Sequence, residues 1–262
     1  MRSPLKRKPL RNPGDSVRKE MDELVNDEVA TYFFLATFLV VLAGLEWVRW
    51  YTDMQPQRAV YTVAAVIGVA VAVYRIRRSL KRFKALKLGY EGEAAVGQFL
   101  ESLRNQGAFV LHDFPGEGFN LDHIVIHQSG IYVIETKTFS KPDRGEPLIM
   151  FDGDRVLILG REPDRNPVIQ ARAAARWLRE LIQELTGKKV MIRPVVVFPG
   201  WFIQPTAEAK ASDVWVLNPK ALPVFISNSR QQLHETEVHS FAAHLSRYAR
   251  AELNKGAKRA GR

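Results

Sequence analysis

The sequence predicts an α/β protein in which a mixed β-sheet flanked by helices is preceded by a hairpin of two transmembrane helices. Two apolar runs, at residues 29–45 and 59–74, predict the hairpin. From Gly89 onward the chain changes to an amphipathic helix, several short apolar strands, a second amphipathic helix and a further strand. That order is typical of a mixed sheet covered by helices.

The first apolar run is about 17 residues long and the second about 16, which is near the lower limit for a helix that spans a bilayer. Trp47 and Trp50 follow the first run, and Tyr61 and Tyr74 lie at the ends of the second. Aromatic residues in these positions are typical of the membrane interface. A hydrophobic hairpin buried in a soluble core is the alternative, although neither run shows an amphipathic stripe.

Basic residues predict the orientation of the hairpin. The loop at residues 48–58 carries Arg49, Arg58 and the acidic Asp53, whereas seven basic residues lie between Arg75 and Lys87. The positive-inside rule places both termini in the cytoplasm, at the inner membrane, with the loop outside. The stretch 75–87 is then a topology determinant and a solvated helix face; contact with anionic lipid or nucleic acid is the alternative.

Changes in composition divide the chain into five segments. They are a charged cytoplasmic segment (1–28), the transmembrane hairpin (29–76), a basic linker (77–88), the α/β domain (89–227) and a C-terminal helix with a basic tail (228–262). The formal net charge of +10 suits a polyanionic partner or an anionic membrane face. The absence of cysteine excludes disulfides, a thiol nucleophile and a Cys-based zinc site.

Three charged side chains interrupt two runs that otherwise have the pattern of buried strands, 120–126 and 131–137. The turn-rich segment between them predicts a β-hairpin. Because side chains alternate between faces, Glu135 and Lys137 share a face, and hairpin pairing brings Asp122 beside Glu135. A buried charge is costly unless it is paired or binds a metal.

Two neighbouring carboxylates repel each other, and a divalent cation relieves that repulsion. Mg²⁺ prefers one or two carboxylates together with substrate phosphate and water. Lys137 can then position the attacking water or neutralise developing charge. The alternative is that Asp122, Glu135 and Lys137 form a buried structural salt-bridge set.

Four ordered motifs resemble the nuclease-related domain family (NERD) of the PD-(D/E)xK nuclease superfamily. The resemblance covers roughly residues 88 to 200. The motifs are Gly89–Glu93 at a helix start, Leu121–Ile126 with its Asp-His pair, Gly130–Lys137 with its Glu-x-Lys, and Asn166–Gln170 with its Asn-Pro-x-x-Gln.

The resemblance implies a restriction-endonuclease-like fold and hydrolysis of phosphodiester bonds in DNA, or in RNA, with Mg²⁺ or Mn²⁺. It implies Asp122, Glu135 and Glu93 as metal ligands, Lys137 as the residue that assists the water, and Gln170 as a further member of the catalytic site. Glu93 is preferred to Glu91 because it lies on the apolar helical stripe of Val96, Leu100 and Leu103.

Two other groups of residues carry weaker predictions. His123 lies on the strand face opposite Asp122 and is expected to pack rather than to bind metal. Arg172, Arg176 and Arg179 form one basic stripe on the second helix, either a solvated face or a phosphate contact.

Two further functions fit the sequence. One is a catalytically inactive, membrane-tethered module that binds nucleic acid or acts as a scaffold. The other is a membrane sensor, for which the outer loop of about 11 residues leaves little room.

Overall fold

The computed structural model describes residues 10–52, 58–142 and 145–260. These residues form two compact units. One is helical and extends from Ser16 to Leu88, and the other contains residues 10–15 together with the chain from Gly89 onward.

The helices of the described ranges are α1 (Asp15–Glu23), α2 (Thr31–Tyr51), α3 (Arg58–Arg104), α4 (Pro167–Thr186), α5 (Leu222–Ser227) and α6 (Glu235–Ala260). The strands are β1 (Phe109–Pro115), β2 (Asn120–His127), β3 (Gly130–Thr136), β4 (Leu148–Phe151), β5 (Val156–Ile158), β6 (Ile192–Val197), β7 (Phe202–Pro205) and β8 (Trp215–Leu217).

The helical unit contains both predicted apolar runs. A π-helical segment (Leu24–Ala30) joins α1 to α2, and the second run lies in α3. The two helices are long and apolar enough to cross a membrane. In the most apolar stretch of each helix, the buried share of the residues is 0% for the first helix and 11% for the second. Such exposure does not fit a hairpin in a soluble core. Part of the predicted outer loop, residues 53–57, lies outside the described residues.

Among the described residues, five strands form the main sheet in the order β1-β2-β3-β6-β8. The first three are antiparallel neighbours, whereas β3–β6 and β6–β8 are parallel. The predicted strand at residues 190–198 therefore lies inside the sheet, next to β3. The mixed sheet that the sequence predicts is confirmed.

Helices cover both faces of this sheet. On one face, Ile124, Ile126 and Val133 pack with residues of α4 and α6. On the other face, Val125 and Ile134 pack with α3 and α5. The predicted helical stripe Val96, Leu100 and Leu103 is fully buried there. The apolar residues of β2 and β3 thus alternate between the two hydrophobic cores, one on each face of the sheet.

A second sheet, with the order β5-β4-β7, lies within the same unit. The hairpin of β4 and β5 matches the sequence prediction, but β7 was not predicted. Its residues Phe202–Pro205 are largely exposed and end in proline. The side chains of β7 do not alternate between buried and exposed positions, so no sequence pattern indicates a strand. The strand joins the sheet through its backbone pairing with β4.

The structure departs from the predicted segments in two places. Residues 77–88 are continuous helix within α3 rather than a separate linker, since the stretch has no proline and is rich in helix-forming residues. The C-terminal helix α6 places Phe241 and Leu245 in the same core as α4, so it belongs to the α/β unit.

Candidate active site

The β2–β3 hairpin brings the first two predicted residues together. His127 pairs with Gly130 around a two-residue turn, and this short turn fixes the register. The pairing Ile124↔Val133 and His123↔Ile134, continued by one residue, sets Asp122 opposite Glu135. The Oδ2 atom of Asp122 accepts a hydrogen bond of 2.6 Å from the backbone N–H of Thr136, which fixes the carboxylate at the end of β3.

Lys137 lies beside the two acids, as its place on the strand predicts. Its Nζ atom is 2.7 Å from Oε1 of Glu135. Its backbone N–H donates to the carbonyl oxygen of Val197 at 2.9 Å, so pairing with β6 continues past the end of β3. Both side chains of this ion pair are partly accessible to solvent, and a phosphate group can therefore reach them.

Glu93 comes to the same place from α3, and Gly92 is the residue that allows the approach. A Cβ atom on Gly92 would lie 2.0 Å from Cγ2 of Thr138, so only glycine fits there without a shift. Glu93 follows it and is only 8% exposed. This close packing is a physical reason for the Gly-Glu pair in the first motif.

Asp113 is a fourth acid that the sequence analysis missed. The β1–β2 pairs His112↔His123 and Phe114↔Leu121 set Asp113 opposite Asp122. Its side chain is 2% exposed, and its φ of 45° is unusual for a residue other than glycine. Such conformations concentrate at functional sites. The sequence does contain an indication of this residue, because Asp113 is a charged residue within a largely apolar strand.

The segment before α1 packs against this group of acids. Arg11 forms an ion pair of 3.2 Å with Asp113, and Glu93 accepts a hydrogen bond from the backbone N–H of Gly14. A Cβ on Gly14 would meet the ring of Tyr90 at 2.7 Å, and Gly14 has a φ of 75°. We call residues 10–15 the N-terminal strap. It contributes a cation and a backbone donor to the site.

Burial and mutual repulsion dominate the electrostatics of the acids. Burial, followed by repulsion from Asp113 and Glu135, raises the pKa of Glu93 to about 7. Burial, followed by repulsion from Glu135 and Glu93, raises the pKa of Asp122 well above its usual value. Lys137 acts in the opposite direction on both groups. The acids therefore share one electrostatic environment in which a further positive charge is stabilising.

Gln170 lies on the first turn of α4, where the sequence places it. The Asn166 side chain caps this helix by accepting from the backbone N–H of Val168 at 2.9 Å. The Oε1 atom of Gln170 is buried and has no hydrogen-bond partner among the described residues. An unsatisfied buried acceptor is costly, so this oxygen is available to a donor that the protein itself does not supply.

The donor set fits a hard divalent cation with few protein ligands. Within the described ranges, no three His, Cys, Asp or Glu side chains are grouped so that they could hold a metal ion. Asp122 and Glu135 are, however, two neighbouring carboxylates whose repulsion a cation relieves, and Mg²⁺ typically binds one or two carboxylates plus substrate phosphate. Metal binding by these two acids and Glu93 stays a prediction.

His123 packs on the opposite face of the strand, in agreement with its alternation. Its Nδ1 atom is 2.9 Å from Nδ1 of His112. Burial, with a smaller effect from His112, lowers the pKa of His123 well below its usual value. The ring is therefore neutral, and the pair supports the sheet behind the site.

Of the three arginines in the basic stripe on α4, one forms ion pairs and two are exposed. Arg172 pairs with Asp154 at 2.9 Å and with Asp213 at 2.7 Å. Arg176 and Arg179 are exposed and line a surface cavity of about 350 Å³. The structure thus leaves two of the three arginines facing solvent, as a solvated face or a phosphate contact requires.

Comparison with known proteins identifies a domain family for part of the chain. Residues 88–199 match the family model described as a nuclease-related domain. The match confirms the resemblance that the motifs indicate, and it covers Glu93, Asp122, Glu135, Lys137 and Gln170. No curated protein matches the chain.

Two solved structures have limited similarity to the chain. SfsA of Pyrococcus furiosus in complex with Ca²⁺ matches with 18% identity and a TM-score of 0.26, over 48% of this chain and 54% of that chain. Protein VC1899 from Vibrio cholerae matches with 11% identity and a TM-score of 0.29, over 90% of this chain and 58% of that one. The chain spans little more than half of either structure, and at these TM-scores neither bears on its function.

Proposed function

We propose that this chain, which carries a nuclease-related domain at residues 88–199, is a membrane-anchored nuclease that hydrolyses phosphodiester bonds of DNA with a divalent metal ion. The observation that carries the proposal is the placement of Asp122 opposite Glu135, with Lys137 Nζ 2.7 Å from the latter. Two carboxylates and one amine on a partly open edge suit a divalent cation together with a phosphate group.

The side chains have separate roles in this proposal. Asp122 and Glu135 would hold Mg²⁺ or Mn²⁺, and the bound ion would supply charge stabilisation at the phosphate and a more acidic water. Glu93 repels Glu135 and would add negative charge that favours the ion. Lys137 orients the attacking water and neutralises negative charge that develops on the phosphate. Gln170 Oε1, which has no hydrogen-bond partner among the described residues, accepts a hydrogen bond from that water. The hydrogen bond from Thr136 holds Asp122 in place.

Membrane anchoring is supported by the helical unit. Large apolar side chains of α2 and α3 face outward; Phe34 is 69% exposed and Val66 is 64% exposed. Such surfaces are unfavourable in water and suit a bilayer. By the positive-inside rule, the basic residues that follow the second apolar run favour a position of the α/β unit in the cytoplasm, at the inner membrane.

A nuclease-related domain has nucleic acid as its partner class. The net charge of +10 favours association with a polyanion. We assign DNA as the first substrate, with RNA as the second.

Purified full-length protein in detergent, incubated with Mg²⁺ and separate DNA and RNA substrates, tests the proposal. We expect cleavage of DNA that a chelator abolishes. Lys137→Ala and Asp122→Asn should each lower the rate at least about 100-fold. Lys220→Ala, which removes an exposed lysine outside the site, is the matched control and should retain the wild-type rate. Equal background cleavage by wild type and Lys137→Ala would overturn the catalytic proposal.

The same experiment would distinguish the alternative, a catalytically inactive module that binds nucleic acid. It would bind nucleic acid with a strong salt dependence, would cleave neither substrate and would be insensitive to chelator.

A further inference from the structure

The helical unit contains a polar cavity that the proposed nuclease site does not use. Its volume is about 560 Å³, within the range of small-molecule sites. Four basic residues line it, together with Glu28, Tyr32 and Ser79. The basic residues are Arg75, Arg78, Lys81 and Arg82.

The cavity begins where the apolar part of α3 ends. Tyr74 is the last residue of the apolar run, and Arg75 is the first basic residue of the lining. The apolar parts of α2 and α3 carry exposed apolar side chains, including Phe33 on α2 and Val71 on α3. A lipid whose acyl chains lie along these surfaces would have its phosphate at the level of Arg75 and the residues that follow.

A network of polar contacts builds one wall of the cavity. Arg82 pairs with Glu20 at 2.6 Å and with Glu28 at 3.8 Å. Ser79, which is buried, donates a hydrogen bond from Oγ to Glu28. Glu28 lies on the π-helical segment, and such segments are frequent at functional sites.

The remaining cations are available to a ligand. Arg75 lies over the ring of Tyr32, with 5.6 Å between Cζ and the ring centroid. Arg78 and Lys81 are exposed and form no ion pair with any residue in the described ranges. The cavity thus presents more positive than negative charge, and the surplus is on Arg78 and Lys81.

We propose that this cavity binds the phosphate headgroup of an anionic phospholipid in the cytoplasmic leaflet. The inference rests on the membrane anchoring in the proposed function, and not on catalysis. Lipid is favoured over nucleic acid because the cations adjoin an apolar surface that suits acyl chains, and because Tyr32 offers an interfacial aromatic ring.

Full-length protein in nanodiscs of phosphatidylcholine, with or without phosphatidylglycerol, provides the test. Spin-labelled lipids report the preference for phosphatidylglycerol over phosphatidylcholine at the protein surface. The double variant Arg78→Gln/Lys81→Gln should lower this preference about 30-fold. The matched control Arg77→Gln/Lys84→Gln removes the same charge from exposed residues outside the cavity lining. At high ionic strength, where diffuse attraction is screened, it should stay within about twofold of wild type.

Several outcomes would overturn the inference. Equal losses in both double variants would mean diffuse attraction to the lipid surface, and no preference in the wild type would mean no site. Inorganic phosphate that displaces the labelled lipid at low concentration would assign the cavity to free phosphate. A loss of DNA binding without a loss of lipid preference would assign it to nucleic acid.

The nuclease proposal fails separately. Arg78→Gln/Lys81→Gln should cleave DNA at the wild-type rate in phosphatidylcholine nanodiscs. If the protein prefers phosphatidylglycerol but does not cleave DNA, the nuclease proposal alone is overturned. If the protein does not enter nanodiscs, the proposals of a membrane anchor and of a lipid site are both overturned.

Discussion

Glu93 shows how a single buried acid makes stability depend on pH. Its pKa is about 7 in the folded protein, against an ordinary value of 4.5. Between these values the unfolded chain has released the proton while the folded chain retains it, so the free energy of unfolding falls as pH rises through this window. Below it both states are protonated, and the penalty is absent.

Replacing Glu93 with glutamine should remove this penalty. In chelator, we expect Glu93→Gln to gain about 2–3 kcal/mol relative to wild type between about pH 4 and about pH 8. Chemical denaturation at several pH values measures it, with the exposed Glu146→Gln as control. A difference between variant and wild type that does not change with pH would contradict the assigned proton.

Asp122 and Glu135 should also report metal binding without any catalysis. Because a cation relieves their repulsion, Mg²⁺ at about ten times its dissociation constant should stabilise the wild type by about 1.4 kcal/mol. Differential scanning fluorimetry would show a rise in the melting temperature that Asp122→Asn loses. If NaCl at equal ionic strength has the same effect as Mg²⁺, the acids do not form a specific cation site.

At the scale of elements, the contact between α3 and the end of β3 depends on one glycine. Gly92→Ala should destabilise the protein by about 1–3 kcal/mol, since its Cβ would clash with Thr138. Gly89→Ala, in the same helix with nothing within 4 Å of its Cβ, should instead stabilise by about 0.5–1 kcal/mol. Thr138→Ser in the Gly92→Ala background should recover part of the loss; additive effects would refute the clash.

The N-terminal strap is the second element with a measurable role. Arg11→Gln leaves the buried Asp113 carboxylate without this cation, at an expected cost of about 1–3 kcal/mol. Adding Asp113→Asn should restore most of that stability, because the charge is then gone. Arg18→Gln, an exposed arginine on α1, serves as the control in the same denaturation series. Full additivity of the two changes would mean that the pair does not interact.

The elements also show which features a sequence can predict. Asp122, Glu135 and Lys137 were found because alternation and a short turn are local properties. Asp113 was missed because none of the four motifs includes it, although it interrupts a largely apolar strand. The strand β7 was missed because its partner β4 is distant in the sequence, and no local pattern reports such a pairing. The continuity of α3 was missed because its basic residues were interpreted as a linker, although their helix propensity is high.

For the whole molecule, the orientation of the chain can be tested directly because it contains no cysteine. Thr52→Cys at the end of α2 should react with a membrane-impermeant maleimide in intact spheroplasts. Lys255→Cys on α6 should react only after permeabilisation, since the positive-inside rule favours a cytoplasmic position for it. The reverse pattern, or labelling of both sites in intact cells, would contradict the proposed topology.

The parallel pairing of β3 with β6 also affects when the proposed site is completed during synthesis. About 55 residues separate the two strands, and at 5–20 residues per second their synthesis takes several seconds. The apolar helices leave the ribosome earlier. A nascent chain can therefore reach the membrane before Lys137 gains its backbone partner Val197, so the proposed site is completed only after the apolar helices have been made.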